Sequence, residues 1–204
     1  VSIAPAASQP ALWGDTRADH RSRIVARSSD RAVWLKARAQ GVTATDVARL
    51  SSERAVLAVG REKLLGSSFT GNAYTDHGLA REPEIARWVR SVYGITPSID
   101  LYHAEGNALH LATPDGIRVV DQRIELAEIK TTSRAWRSIP RSYLRQVWWQ
   151  QYVLGAERTL VVWEQHSDFV PVDAEPRVKW VERDDNEIHQ LVGLADSLLK
   201  ILHP

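Results

Sequence analysis

Thr113-Pro114-Asp115-Gly116, followed by Glu125-Leu126-Ala127-Glu128-Ile129-Lys130, is the segment around which the chain is organised. Pro-Asp-Gly between more apolar neighbours is a turn signal. Ile117, Val119 and Val120 then read as a short strand, Asp121-Gln122-Arg123 as a polar break, and Ile124 to Thr131 as a second strand. Residues two apart on a strand share a face, so Glu128 and Lys130 point one way and Ile129 the other. If the two strands pair as a hairpin, Asp115 is carried near the Glu128 end. Two carboxylates and one amine then occupy one small volume. Carboxylate oxygens suit Mg²⁺ or Mn²⁺, and a nearby ammonium can orient a water or steady a developing negative charge. The same three charges also fit a solvated hairpin face, so the choice between the two rests on the remaining chain.

Working outward, the chain has 204 residues, 44% hydrophobic and 25% charged. That is ordinary globular usage, long enough for one domain with a real core. We expect a flexible lead-in over residues 1–12 and a single domain over 13–204. Val1 to Ala11 lacks the basic region and apolar core of a signal peptide. No apolar run reaches eighteen residues, so no membrane span is expected. The absence of cysteine excludes disulfides, thiolate metal sites and a cysteine nucleophile. The net charge is only +1, yet it is unevenly spread. Lys130 to Arg145 holds five basic residues and no acid, whereas Glu164 to Glu187 holds eight acids against three bases. A basic stretch directly after an acidic cluster is the layout of a nuclease, with carboxylates for metal and arginines for phosphate.

The flanking elements follow from periodicity and caps. Asp15 to Gln40 is expected to be largely helical, with Gly41 as the stop. Thr43 or Thr45 can cap a helix that has Asp46 in its first turn, and such a start is also an anion site. A further helix is expected from about Glu53 to Leu65, then a loop over Gly66 to Asp76. His77 to Tyr93 turns helical again, and Pro83 places the helix start close to Glu82. Thr96 to Leu111 reads as an edge strand; His103 and His110 within it are read as structural or solvated. Ser142 to Leu154 is a helix ending at Gly155, with Gln146 and Gln150 sharing a face. Thr159 to Glu164 and Val178 to Glu182 are strands, and Glu187 to Leu202 is an amphipathic closing helix. This order gives an α/β domain with a central mixed sheet flanked by helices.

Taken together, these segments resemble the YqaJ-type viral recombinase family, the phage alkaline exonucleases like that of phage lambda, within the PD-(D/E)XK nuclease superfamily. The resemblance is carried in one order by Trp34 through Thr45, His77-Gly78-Leu79-Ala80-Arg81-Glu82, Thr113-Pro114-Asp115-Gly116, Glu128-Ile129-Lys130 and Tyr143-Leu144-Arg145-Gln146-Val147. It implies a PD-(D/E)XK core in which Asp115, Glu128 and the Ile129 carbonyl hold metal, with Glu82 helping a second ion. Lys130 would position the attacking water. Arg38 and Thr45 match positions that hold a terminal 5′-phosphate, and Trp34 resembles an aromatic where the duplex end is split. Gln146 matches the glutamine of the helix after the core, and Arg134 corresponds to a DNA-contacting arginine if a small gap is allowed. The implied activity is a 5′→3′ exonuclease that uses two Mg²⁺ (or Mn²⁺) ions, acts on double-stranded DNA ends and leaves 3′ single strands. The implied partners are a single-strand annealing protein and a homo-oligomer, a trimer in relatives. The implied location is the cytoplasm of a bacterial host. Trp148 stands where relatives often show a second glutamine, which predicts a differently lined site. A short span between Arg49 and Asp76 and a short C-terminus put trimer contacts in doubt. A structure-specific or restriction-like endonuclease and a catalytically weak DNA-end-binding protein are the alternatives.

Overall fold

The computed structural model describes residues 20–66 and 72–204. The expected lead-in over residues 1–12 lies outside these residues. The central sheet is built around the predicted hairpin. Its strands are β6 (Gly116–Val120) and β7 (Arg123–Thr132), paired antiparallel with Gly116 opposite Ala127 and Val120 opposite Arg123. Asp121 and Gln122 make the two-residue turn, both at positive φ (47° and 65°). That backbone matches the right-handed twist of the strands it joins. Beside β7 lies β8 (Arg158–Ser167), parallel to it, with Glu128 opposite Val161 and Lys130 opposite Trp163. A parallel pair needs a crossover, here α5 (Arg141–Leu154). β10 (Arg177–Glu182) pairs with β8, and β3 (Thr96–Pro97) pairs with β6, giving the order β10-β8-β7-β6-β3. β9 (Val170–Pro171) makes a short hairpin with the end of β8.

A second, four-stranded sheet has the order β1-β4-β5-β2, from β1 (Ile24–Arg27), β4 (Asp100–Ala104), β5 (Asn107–Ala112) and β2 (Val42–Thr43). Three expectations are corrected here. The region 15–40 is not one helix: among its described residues, a 3₁₀ turn (His20–Arg23) leads into β1, and α1 begins only at Arg31, with the Asp30 carboxylate accepting from the Val33 N–H. The Ile24-Val25 pair and the Ser28-Ser29-Asp30 turn explain the break, because β-branched residues favour strand and short polar ones favour turns. Thr96 to Leu111 is three strands shared between two sheets rather than one edge strand. Finally, α4 runs from Ala73 to Tyr93, capped by Asn72, with Pro83 inside it. The Asn72 side chain accepts from the N–H groups of Tyr74 and Thr75 (3.0 and 3.1 Å). Good capping eleven residues upstream outweighs the one backbone bond that Pro83 removes.

Two cores hold the sheet. Leu126 packs with Val147, Trp149, Val153 and Val161 under α5, while Ala127, Ile129, Leu160 and Val162 pack with Ile85, Ala86 and Val89 of α4. Alternate residues of β7 therefore enter opposite layers, as the period of two requires. Two glycines permit close approach. A Cβ on Gly41 would stand 2.5 Å from the Leu109 carbonyl oxygen, and one on Gly116 would stand 2.9 Å from Ile95 Cγ2. The first seats β2 against β5, in parallel register with Val42 opposite His110 and Thr43 opposite Leu111. The remaining helices are α2 (Ala44–Arg49), α3 (Glu53–Leu65) and α6 (Asp185–Leu202). No helix among the described residues is long and apolar enough to cross a membrane. His110 is structural: it is 1% exposed, bonded to the Tyr152 hydroxyl at 3.1 Å and paired with Asp196 at 3.2 Å.

Candidate active site

The hairpin register carries Asp115 to Glu128. The Asp115 N–H donates to the Ala127 carbonyl at 3.1 Å, and the Ile129 N–H donates back to Asp115 Oδ2 at 2.6 Å. The Ile129 side chain turns into the core, so only its backbone belongs to the site. Glu128 is 1% exposed and fully engaged. Lys130 Nζ and the Gln146 amide both donate to its Oε1, and Gln150 Nε2 donates to its Oε2 at 2.6 Å. Lys130 Nζ also lies 5.4 Å from the centre of the Tyr143 ring, so an aromatic face fixes the ammonium from another side.

The charges do not balance. Asp115, Glu128 and Glu82 face one ammonium. Burial, then the Glu128 charge, raises the Asp115 pKa well above its ordinary value, with Lys130 pulling the other way and Glu82 adding to the rise. Glu82, exposed along its length, is likewise raised by desolvation of its carboxyl and by Glu128, again against Lys130. Burial alone would lower the Lys130 pKa, but Glu128 and Asp115 overrule it and hold the amine charged. Three carboxylates sharing one cation form a site short of positive charge.

Among the described residues, no three His, Asp or Glu side chains stand arranged as a ready cation cage. The geometry explains this, since both Glu128 oxygens are turned to Lys130 and the two glutamines. The donor set nonetheless fits a hard divalent ion. All its side-chain ligands are oxygens. Two buried oxygens in the same region, Gln150 Oε1 and Thr113 Oγ1, have no hydrogen-bond partner among the described residues, and Gln150 Nε2 itself reaches the Thr113 carbonyl at 3.5 Å. Glu82 arrives on α4, which lies against β7: a Cβ on Gly78 would stand only 3.3 Å from Thr131 Oγ1. Arg81 fastens this helix to β8 through a bidentate pair with the nearly buried Glu164 (2.9 and 2.7 Å).

The second predicted group also comes together. The Arg38 guanidinium lies 4.3 Å over the Trp34 ring and 3.5 Å from Thr45 Oγ1. Desolvation chiefly lowers the Arg38 pKa, with Arg31 adding and Asp46 opposing. Thr43, rather than Thr45, caps α2 in a reciprocal box with Asp46, leaving the Thr45 hydroxyl exposed in the first turn. Lys63 pins this corner by donating to the Arg38 carbonyl (2.9 Å) and to Asp46 (2.7 Å). Because Thr43 lies opposite Leu111, the start of α2 sits beside the segment leading to Asp115.

The basic run divides by position. Lys130 serves Glu128, Arg141 pairs with Glu187, and Arg145 donates to the Ala48 carbonyl at 3.0 and 2.7 Å. Arg134 and Arg137 are exposed; a turn in which the Arg134 N–H donates to Thr132 Oγ1 at 3.1 Å presents the former. Gln146 lies on Glu128 rather than out on the surface. Trp148 faces away, with its indole N–H on the Glu182 carbonyl at 3.3 Å. The second glutamine of the site is Gln150, whose spacing of four from Gln146 was the available signal. Tyr143, Arg81 and Glu164 were not predicted as parts of the site, and for the last two no local pattern marks a pair 83 residues apart.

Comparison with known proteins bears on the family and the fold. The family described as the YqaJ-like viral recombinase domain matches residues 33–157. An alkaline exonuclease from Laribacter hongkongensis superposes with a TM-score of 0.63 at 25% identity, over 83% of this chain and 91% of that one. The same enzyme in complex with dAMP gives 0.64 over the same shares. A phage-related exonuclease from Haemophilus somnus 129PT shares the fold at 13% identity, with a TM-score of 0.61 over 79% of this chain and 93% of that one. No curated protein matches the chain. With the PD-(D/E)XK core in place and most of its length matched, the chain belongs to the YqaJ-like viral recombinase domain family.

Proposed function

We propose that the protein is a Mg²⁺- or Mn²⁺-dependent exonuclease that degrades one strand of linear double-stranded DNA from its 5′ end. The observation that carries this reading is the convergence of Asp115, Glu128 and Lys130 at one end of β7, with a surplus of carboxylate over amine. Bound divalent ions, two per site, would neutralise that surplus and polarise the scissile phosphate and the attacking water. Asp115, Glu128 and the Ile129 carbonyl would hold them, with Glu82 at the second.

The chain's own residues do the rest. Lys130 holds the attacking water in line and stabilises charge developing on the phosphate. Gln146 and Gln150 fix the Glu128 carboxylate in one orientation, as partners of a ligand do. Tyr143 and Glu128 keep Lys130 charged and aimed. Arg38 and Thr45 grip the terminal 5′-phosphate, and Trp34 backs the guanidinium. Arg134 meets the DNA backbone from its exposed turn. The product would be a 3′ single strand for an annealing protein, in the cytoplasm of a bacterial host. Homo-oligomer formation, a trimer in relatives, would make digestion processive.

A duplex labelled at its 5′ or 3′ terminus tests the polarity. Early release of 5′ label with retention of 3′ label is expected, and early release of 3′ label would reverse the assignment. A 5′-hydroxyl end is expected to be cut more slowly than a 5′-phosphoryl end. Equal rates would remove Arg38 and Thr45 from their role.

A further inference from the structure

A second cluster lies just beyond the C-terminal ends of β7 and β8, next to the carboxylate site. Tyr74 and His77 come from the first turns of α4, and His166 and Phe169 from the β8–β9 hairpin. His77 and His166 have ring centres 4.4 Å apart, His166 stacks on Phe169 at 5.4 Å and 19°, and Tyr74 lies 5.3 Å from Phe169. Beside them is a cavity of about 180 Å³ lined by Tyr74, Ser133, His166, Ser167, Asp168 and Phe169.

Two observations point to a ligand there. His166 is 2% exposed, yet among the described residues its Nδ1 has no hydrogen-bond partner, and neither has the buried Nε2 of His77. Tyr74 and Phe169 remain 56% and 42% exposed, which leaves aromatic surface accessible beside the cavity. Asp168 and Phe169 form the two-residue turn of the β8–β9 hairpin, both at positive φ (48° and 66°), and this turn carries the Phe169 ring to the cavity.

The chemistry narrows the class. The volume lies below the usual range for a drug-sized ligand, which suits one planar ring better than a whole nucleotide. Asp168 in the wall would repel a phosphate and accept from an exocyclic amine. Burial, then His166, lowers the His77 pKa, so that imidazole is neutral and offers one donor and one acceptor. Ser133 is followed by the exposed Arg134, which is placed to meet a backbone phosphate outside. The distance is also suitable. Ser133 is three residues past Lys130 on an extended chain, and His77 is five residues before Glu82 on a helix, so both lie within about 10 Å of the reaction centre.

We infer that this cleft is a stacking subsite that takes one unpaired base of the DNA end while the neighbouring phosphodiester is cut. The inference rests on the DNA-end reading above and adds to it a base-recognition element. Bases splayed from a duplex end lose their neighbours, and an aromatic platform replaces that stacking without sequence preference.

The test places 2-aminopurine singly at each of the last four positions of both strands of a linear duplex. Fluorescence is read with the protein in Ca²⁺, and hydrolysis in Mg²⁺ is measured alongside. Phe169→Gly removes the ring and relieves the positive φ, so it keeps the fold, and Tyr74→Ala changes an exposed side chain. For the wild type, quenching by stacking is expected at one position of one strand. Both variants should restore fluorescence there and weaken binding of that duplex by about 5- to 150-fold, the range of one base–aromatic stack. Phe169→Trp should keep the quench. If the wild type degrades the duplex but its quench profile is unchanged in both variants, the subsite is wrong and the nuclease reading stands. If the wild type neither binds nor degrades DNA ends, both fail.

Discussion

Glu125 and Glu128 stand three residues apart on β7, both buried, on opposite faces of the sheet. Glu125 is held by two guanidiniums, Arg118 at 2.5 Å and Arg158 at 2.6 Å. Burial would raise its pKa, but those two hydrogen bonds and charges lower it. Both arginines lie against the Trp180 ring, Arg158 at 4.1 Å and Arg118 at 5.9 Å. That carboxylate is fully compensated. Glu128 has one ammonium, shares it with Asp115 and Glu82, and is otherwise held by neutral amides. The contrast separates a carboxylate that holds the fold from one that, in the proposed function, binds a cation: the first has positive charge to spare, the second has too little.

Breaking each side of that comparison should give opposite results. The largest effect is expected from Lys130→Ala or Asp115→Ala, with Mg²⁺-dependent cleavage of linear duplex falling about 10²–10⁴-fold, the range for loss of a positioned proton-transfer or charge-stabilising group. The unfolding midpoint should change little in Asp115→Ala, whereas Lys130→Ala, which leaves the buried Glu128 without its ammonium, should also lower it, so its rate is compared per folded molecule. Near-normal cleavage in either variant would misplace the site. Glu125→Ala should do the reverse, costing about 1–3 kcal/mol of stability because two arginines lose their partner, discounted for their partial exposure. The folded fraction should keep its specific rate, and a rate loss beyond the unfolded fraction would give Glu125 a role in catalysis.

Gln150→Leu tests the neutral amides. It should weaken Mg²⁺ dependence about 10–100-fold, as loss of a ligand's supporting partner does, while Trp148→Phe should leave that titration unchanged. An equal shift in both would mean that the helix face is generic.

The pH dependence sharpens the contrast further. Asp115 and Glu82 have raised pKa values, so the folded apo protein binds more protons than the unfolded chain between their ordinary and raised values. Apo stability is therefore full below the ordinary carboxylate range and falls as pH rises through the raised values. Mg²⁺ competes with those protons, so the gain in Tm on adding it should be small in acid and grow toward alkaline pH. At a hundredfold excess over Kd that gain is about 5–10 °C for a chain of this size. A gain that is the same at every pH would contradict the charge argument.

Much of the fold could be read from residues alone where the signal was local and periodic. Alternation along Ile124 to Thr131 set the faces of β7, and the apolar spacing of Ser142 to Leu154 placed α5. The grouping of Asp115, Glu128 and Lys130 could be read because all three sit on one hairpin. Where two local signals competed, the reading failed: Pro83 outweighed the Asn72 cap on paper, and the arginine-rich stretch before Gln40 hid a β-branched pair. What was wholly illegible depends on contacts distant in sequence. Tyr74 and His166, or Arg81 and Glu164, become neighbours only when α4 docks on β8.

The central claim is a divalent-metal site that starts from a DNA end. A 5′-labelled linear duplex and a covalently closed circle of the same sequence, incubated together with Mg²⁺ and again with EDTA, test it most directly. Loss of the linear strand with the circle intact, and no change in EDTA, is the predicted result. Cutting of the closed circle, or digestion of either DNA in EDTA, would contradict it.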